Sequence, residues 1–410
     1  VMDMRAVLEG SPRMQGILEA AHASGKIIEG HARGLSGPAL QAFAAAGIGG
    51  DHEIVSAQDA LEKLRAGMVV ELRGSHDYLL PDVVAAINTL PVVPSTLTIC
   101  TDDVFPDLLV EKGGMCDVIR RLIRYGLAPL QAIRCATFNT ATHIRRHDLG
   151  LLAPGRRADI VAVTSLEEMK VESVWTSGVK AAEAGRLLVS QPEPVPLPPV
   201  DTMQVPLLHA NDFRIRHPAA TNGRATINAI KGARFTSWSE RDVEFASGFV
   251  VLPDDASLMT VIHRHGRAPA EPKTALIEGW GRWRGAYASS YSHDSHNLTV
   301  FGADPAEMAL AANTVREMGG GLAVVKDGVV TAKIAYPVAG LLSDMPPAEV
   351  ARLQSAVVRA AGEVCSWDPP YRTFKGLEGQ SLACNAGPHL TDMGLTDGLT
   401  RELRPIFAAG

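Results

Sequence analysis

Two histidines, an arginine and an aspartate recur at intervals that could build one site. His31, His52, Arg73 and Asp102 lie 21, 21 and 29 residues apart, each at the end of a short apolar run (KIIEGH, IGGDH, MVVELR, STLTICTD). Neutral imidazole and carboxylate suit zinc, iron or manganese. A carboxylate beside a metal-activated water can take its proton and leave a nucleophile near neutral pH. His31, His52 and Asp102 are therefore the candidate metal ligands, with Asp102 also the candidate base. The competing reading uses Asp103, or makes either aspartate a helix cap before FPDLL. Arg73 and Ser75 in LRGS are candidate substrate-side donors, against a plain salt-bridged strand end.

Such residues need rigid strands behind them, and the pattern supplies these. SPRMQGILEAAHASG places Met14, Ile17, Leu18 and Ala21 at helical spacing and stops at Gly25. KIIEGHA reads as a buried strand, LSGPALQAFAAAG as a helix closed by Gly47, and IGGDHEIV as a second strand. AQDALEKLRAG, MVVELRGS, PDVVAAINTL and STLTICTDD continue the alternation. Strand, helix, strand in this order implies right-handed crossovers and a parallel sheet. Its strand ends bring His31, His52, Arg73 and Asp102 to one face, which in a (β/α)8 barrel carries the active site. Four strands do not close such a barrel. The other half is expected upstream of Val1, where the chain starts without methionine or signal peptide, or from another chain.

DVIRRLIRYG and APLQAIRCATFNTATHI read as helical, and DIVAV, VESVWTSG and VKAAEAGRLLV as short turn-bounded strands. QPEPVPLPPV holds five prolines in ten residues, an extended linker. A second mixture of strands and helices follows from residue 205. GGG at 319–321, between a helix and a strand, reads as a helix C-terminal cap rather than a phosphate cradle.

The 410 residues suggest two or three domains. A formal charge of −6 argues against a strongly cationic nucleic-acid binder, and no apolar run reaches the roughly 20 residues of a membrane span. The five cysteines, odd in number and without a C-x-x-C, suggest reduced thiols and a cytoplasmic protein.

GHARGLSG, GGDHE, LRGS, CTDD, ATFNTAT and DLGLLAPGRRADIVAV resemble the amidohydrolase superfamily. Together with GWGRWRGAYASSYSHDSHNLTVFGAD, MALAANTVREMGGGLAVVKDG and PVAGLLSD, they resemble more narrowly the bacterial adenine deaminases, from Val1 to nearly the end. The resemblance implies metal-dependent hydrolysis of adenine at C6 to hypoxanthine and ammonia, in purine catabolism. It also implies manganese or iron, with zinc a third option, in a binuclear centre of a homodimer. His31 and His52 match the histidines ending the fifth and sixth barrel strands. Asp102 matches the eighth-strand aspartate, ligand and proton shuttle. The family's first-strand His-x-His and fourth-strand glutamate have no counterpart here, so these residues alone are expected to be inactive.

His293, Asp294 and His296 in SHDSHN fit a second metal cluster, a substrate lid or a hydrogen-bonded turn, and are further substrate-side candidates through the resemblance. His263 in HRHG and Met115 in GGMCD depart from the family pattern, as does DPPYRTFKGLEGQSLACNAGPHLTD, and they leave the exact substrate open. His22, His143, His147, His209 and His217 read as structural or surface residues. The expected architecture is α/β: the second half of an amidohydrolase barrel (1–150), a small β-sandwich part (151–190), a Pro-rich linker (191–204) and an α/β (α+β) carboxyl-terminal domain (205–410). The rival functions are an amidohydrolase for another purine, pterin or cyclic amide, and a non-catalytic binding fragment.

Overall fold

A computed structural model describes residues 1–190, 201–232, 236–366, 373–398 and 400–408. It divides into two compact units, Val1–Pro194 and Val195–Gly410.

The first unit begins with helices α1 (Met4–Leu8) and α2 (Pro12–Ala23). Ser11 caps α2 by accepting from the Met14 amide, Pro12 sits in its first turn, and Gly25 ends it at φ +66. Then β1 (Glu29–Gly30), α3 (Gly37–Ala45), β2 (Gly50–Asp51), α4 (Ala57–Arg65), β3 (Val69–Arg73), α5 (Leu80–Ile87) and β4 (Leu97–Cys100) alternate as the pattern requires. The four strands form one parallel sheet in the order β1-β2-β3-β4. Its helix-facing side buries Val70, Leu72, Leu97 and Ile99 against Ala60 and Leu64 of α4 and Val83, Val84 and Ile87 of α5. Helices α6 (Pro106–Lys112), α7 (Met115–Arg124), α8 (Pro129–Arg134) and α9 (Thr140–His143) follow, with Val118, Ile119 and Leu122 of α7 in the same core. Met115 packs against that core.

β1 and β2 are two residues long, shorter than the apolar runs KIIEGHA and IGGDHEIV suggest. The amides that would prolong both ladders, those of Ala32 and Glu53, donate instead to the carboxylate of Asp51.

After α9 the chain forms an antiparallel meander of β5 (Ile160–Val163), β6 (Val171–Thr176), β7 (Val179–Glu183) and β8 (Arg186–Leu187). The expected sandwich is here a single four-stranded sheet; a second layer is not among the described residues. Met169 joins the core of the parallel sheet, so this segment belongs to the first unit.

Residues 191–200 of the expected linker lie outside the described residues. Its last residues, expected as linker through 204, are packed instead: Met203 is in the core of the second unit, and Thr202 and Gln204 bond to Arg264.

The second unit contains β9 (Gly223–Lys231), β10 (Ser237–Ala246), β11 (Phe249–Val250), β12 (Ala256–Ile262), β13 (Lys273–Glu278), β14 (Arg282–Trp283), β15 (Ala286–Ser289), β16 (Leu298–Gly302), β17 (Gly321–Lys326) and β18 (Val329–Ala335). All but β14 form a nine-stranded sheet, antiparallel except where β9 meets β13. Helix α10 (Pro305–Glu317) covers one face, burying Met308, Ala311, Ala312 and Val315 against Ile227, Ala288 and Val300. Asp304 caps its start. Gly319, at φ +72, follows its end and donates to Arg316, so the glycine triplet does close this helix. Helix α11 (Pro347–Val364), β19 (Cys365–Ser366, paired with β14), α12 (Thr373–Gly379) and a small sheet of β20 (Pro388–Thr391), β21 (Gly394–Asp397) and β22 (Leu403–Arg404) complete the unit.

Candidate metal centre

Alternation along a strand sends neighbouring side chains to opposite sides of a sheet. In the parallel sheet Val70 and Leu72 go to the helix layer, which leaves Glu71 and Arg73 on the other side. The register β1–β2–β3 places Glu29, His31 and His52 on that second side too. His31 and His52 directly follow β1 and β2, Arg73 ends β3, and Asp102 lies two residues past β4.

The two imidazoles meet edge to face with ring centroids 4.6 Å apart. His31, His52 and Glu53 each offer a ligating atom within 4.8 Å of the others. The Nδ1 of His31 is buried with no hydrogen-bond partner among the described residues. Burial, then the neighbouring His52, hold the His31 imidazole below its ordinary pKa, hence neutral at pH 7. A neutral imidazole with an idle nitrogen facing a second imidazole fits a divalent transition ion.

Glu53 is already engaged. Arg73 and Arg33 both pair with it. Burial pushes its carboxyl up, but the two guanidiniums outweigh this and bring it down to about 2. The other terminal nitrogen of Arg73 donates to Asp102, and Ser75 Oγ donates to the same Asp102 oxygen at 2.6 Å. Against the cost of burial, these contacts keep the Asp102 carboxyl below its usual range. Arg73 and Ser75, read from sequence as substrate donors, thus both grip Asp102 here. Asp102 joins the pair through one guanidinium and is not among the groups within ligand distance of the imidazoles.

Four participants escaped the sequence reading. Glu29, Glu71 and His143 form a second group within 4.8 Å, with His143 Nε2 at 2.7 Å from Glu29 and His52 Nδ1 at 3.8 Å from Glu71. The hydrogen bond that His143 donates to the Glu29 carboxylate raises the His143 pKa. Gly50 makes room for this: a Cβ there would lie 1.8 Å from the Glu29 carboxylate. The i, i+2 spacing of Glu29 with His31 and of Glu71 with Arg73 was a usable signal; nothing local marked His143. The fourth is Glu53, adjacent to His52.

His293, Asp294 and His296 lie in the second unit, between β15 and β16. His296 Nδ1 is 2.6 Å from the Tyr291 carbonyl, and His293 Nδ1 is 3.3 Å from Asp294. The His293 amide donates to the Glu378 carbonyl and Ser381 Oγ to the His293 carbonyl. Among the described residues no three metal-ligating side chains gather there. His263 is 3.0 Å from Asp392.

Residues 9–181 match the amidohydrolase family and residues 233–402 the adenine deaminase C-terminal domain. The chain is 54% identical over all 410 residues to an adenine deaminase of Klebsiella pneumoniae (strain 342), spanning 68% of that protein's length. It is 52% identical over 410 residues to an adenine deaminase of Serratia proteamaculans (strain 568), spanning 69% of it. Over 403 residues, 98% of this chain, it is 51% identical to adenine deaminase 2 of Agrobacterium fabrum (strain C58 / ATCC 33970), spanning 67% of it.

Proposed function

Because the chain belongs to the adenine deaminase family, we propose that its imidazole pair holds the metal at a site for hydrolytic deamination of adenine. The convergence of His31 and His52 carries this reading. We read the four parallel strands as the second half of a (β/α)8 barrel, because a helix follows each strand and the candidate groups share one end.

His31 and His52 would hold the ion through their ring nitrogens. A divalent ion there supplies a water-derived nucleophile near neutral pH. In the reaction a C6–O bond forms, the C6–N6 bond breaks, and water plus adenine become hypoxanthine plus ammonia. Asp102, kept ionised by Arg73 and Ser75, takes one proton from the attacking water and returns it to the departing amine, while the water's second proton ends on ring N1 of hypoxanthine. Arg73 and Ser75 act on the chemistry through Asp102.

The ion we favour is manganese or iron in a binuclear centre, and the assembly a homodimer, both on the strength of the family; the cytoplasmic location we favour rests on the unpaired cysteines. Elemental analysis and light scattering test the ion and the assembly.

The functional test is adenine-dependent ammonia release by a chimera in which this chain replaces the matching stretch of the Klebsiella relative. Turnover that requires His52 supports the reading; a folded, metal-loaded chimera that leaves adenine untouched defeats it. The 410 residues alone are expected to be inactive, because the four strands form an open sheet with two imidazoles at the pair.

A further inference from the structure

Asp51 is a carboxylate with no exposure, on the opposite side of β2 from His52. It points into the layer where Val70 packs on Ala60 and Leu64 of α4. A carboxylate is costly there unless paired and hydrogen-bonded. Lys63 of α4, equally buried, pairs with it at 2.7 Å and with Asp59 at 2.8 Å.

A buried ion pair is weak grounds for stability, since apolar residues of similar volume often do as well. Its other contacts show what this one does. Asp51 Oδ1 accepts from the amide of Ala32 at 3.0 Å and from the amide of Glu53 at 2.9 Å. Ala32 directly follows His31, and Glu53 directly follows His52. One oxygen therefore ties together the backbone at both histidines, where the β1–β2 ladder has already ended after two residue pairs.

We infer that Asp51, anchored by Lys63, is a positioning residue that sets the spacing of the His31 and His52 imidazoles for a bound ion. This rests on the reading of that pair as metal-holding. Asp51 touches no reactant. It acts through the backbone, as outer-shell groups at metal sites act through hydrogen bonds to the ligands.

The test compares two double variants of the 410-residue chain, both lacking the buried charge pair. Asp51→Asn/Lys63→Met keeps an oxygen acceptor at position 51, whereas Asp51→Leu/Lys63→Met removes it. Zinc affinity is measured by competition with a chromophoric chelator, with circular dichroism and melting temperature recorded alongside. The asparagine variant should bind zinc within about threefold of the parent, and the leucine variant roughly 10–100-fold more weakly. The leucine variant, with two buried amides left unpaired, should melt lower than the asparagine one. Both are titrated where circular dichroism shows them folded, and there a merely structural role would leave their zinc affinities equal. If leucine is not accommodated, Asp51→Ala/Lys63→Met makes the same comparison.

Equal zinc affinity in the two folded variants overturns the inference, and so does an asparagine variant as weak as the leucine one. His52→Ala separates this failure from that of the underlying reading. If His52→Ala binds zinc as well as the parent does, the metal reading falls and the positioning role falls with it. If His52→Ala loses zinc while the acceptor at 51 makes no difference, only the positioning role falls.

Discussion

Tyr287 donates its hydroxyl to the carboxyl of Glu378 in the interior of the second unit, although 91 residues separate them. Ser289 Oγ donates to the other oxygen at 2.8 Å, and Glu378 is 1% exposed. Burial pushes this carboxyl up to about 7, against the opposing pull of the Tyr287 and Ser289 hydrogen bonds.

A glutamate whose folded pKa exceeds its unfolded value binds more protons when folded. Its contribution to stability is complete below the unfolded pKa of about 4.5 and is lost as pH rises to about 7. The loss amounts to about 3 kcal/mol across that window. Urea unfolding at pH 5 and pH 8 should show it, and Glu378→Gln should flatten the difference. An equal pH dependence in the variant would place the titrating group elsewhere.

His52→Ala and His31→Ala should each weaken the binding of one divalent ion by at least roughly tenfold, since each removes one of two converging imidazoles. Dialysis against a defined zinc buffer followed by elemental analysis measures this. Full zinc content in either folded variant would move the site away from the pair.

Asp102→Asn should reduce adenine turnover in the chimera by at least roughly a hundredfold while leaving ion content closer to normal. The amide keeps the shape that Arg73 and Ser75 hold but cannot take a proton. A variant with the normal rate would assign proton transfer to another group, Asp103 first.

Arg264 has no exposure and, among the described residues, no carboxylate partner. It donates to the carbonyls of His296, Thr202, Ser290 and Ala339 and to the Thr202 hydroxyl, and burial lowers its pKa to about 10. Arg264→Met strands these buried acceptors and should cost about 3 kcal/mol or more in urea unfolding. Arg264→Lys, with fewer donors, should recover only part of that. A methionine variant within about 1 kcal/mol of the parent would mean the carbonyls find other donors.

The alternation of apolar runs with helical spacing specified the parallel sheet and the shared end at which His31, His52, Arg73 and Asp102 stand; the order of its strands came from the structure. The helix stops at Gly25 and Gly47 were local features of the same kind. These are legible because periodicity and capping act over a few residues. The partners were decided by the tertiary structure alone. Arg73 bridging Glu53 to Asp102, Lys63 neutralising Asp51, His143 meeting Glu29, and Tyr287 reaching Glu378 each join groups from separate elements. A carboxylate's role depends on which charge or amide faces it after folding, and sequence spacing carries no record of that. The short β1 and β2 show the same limit: their apolar runs promised longer ladders, and a single side-chain oxygen from Asp51 took the amides instead.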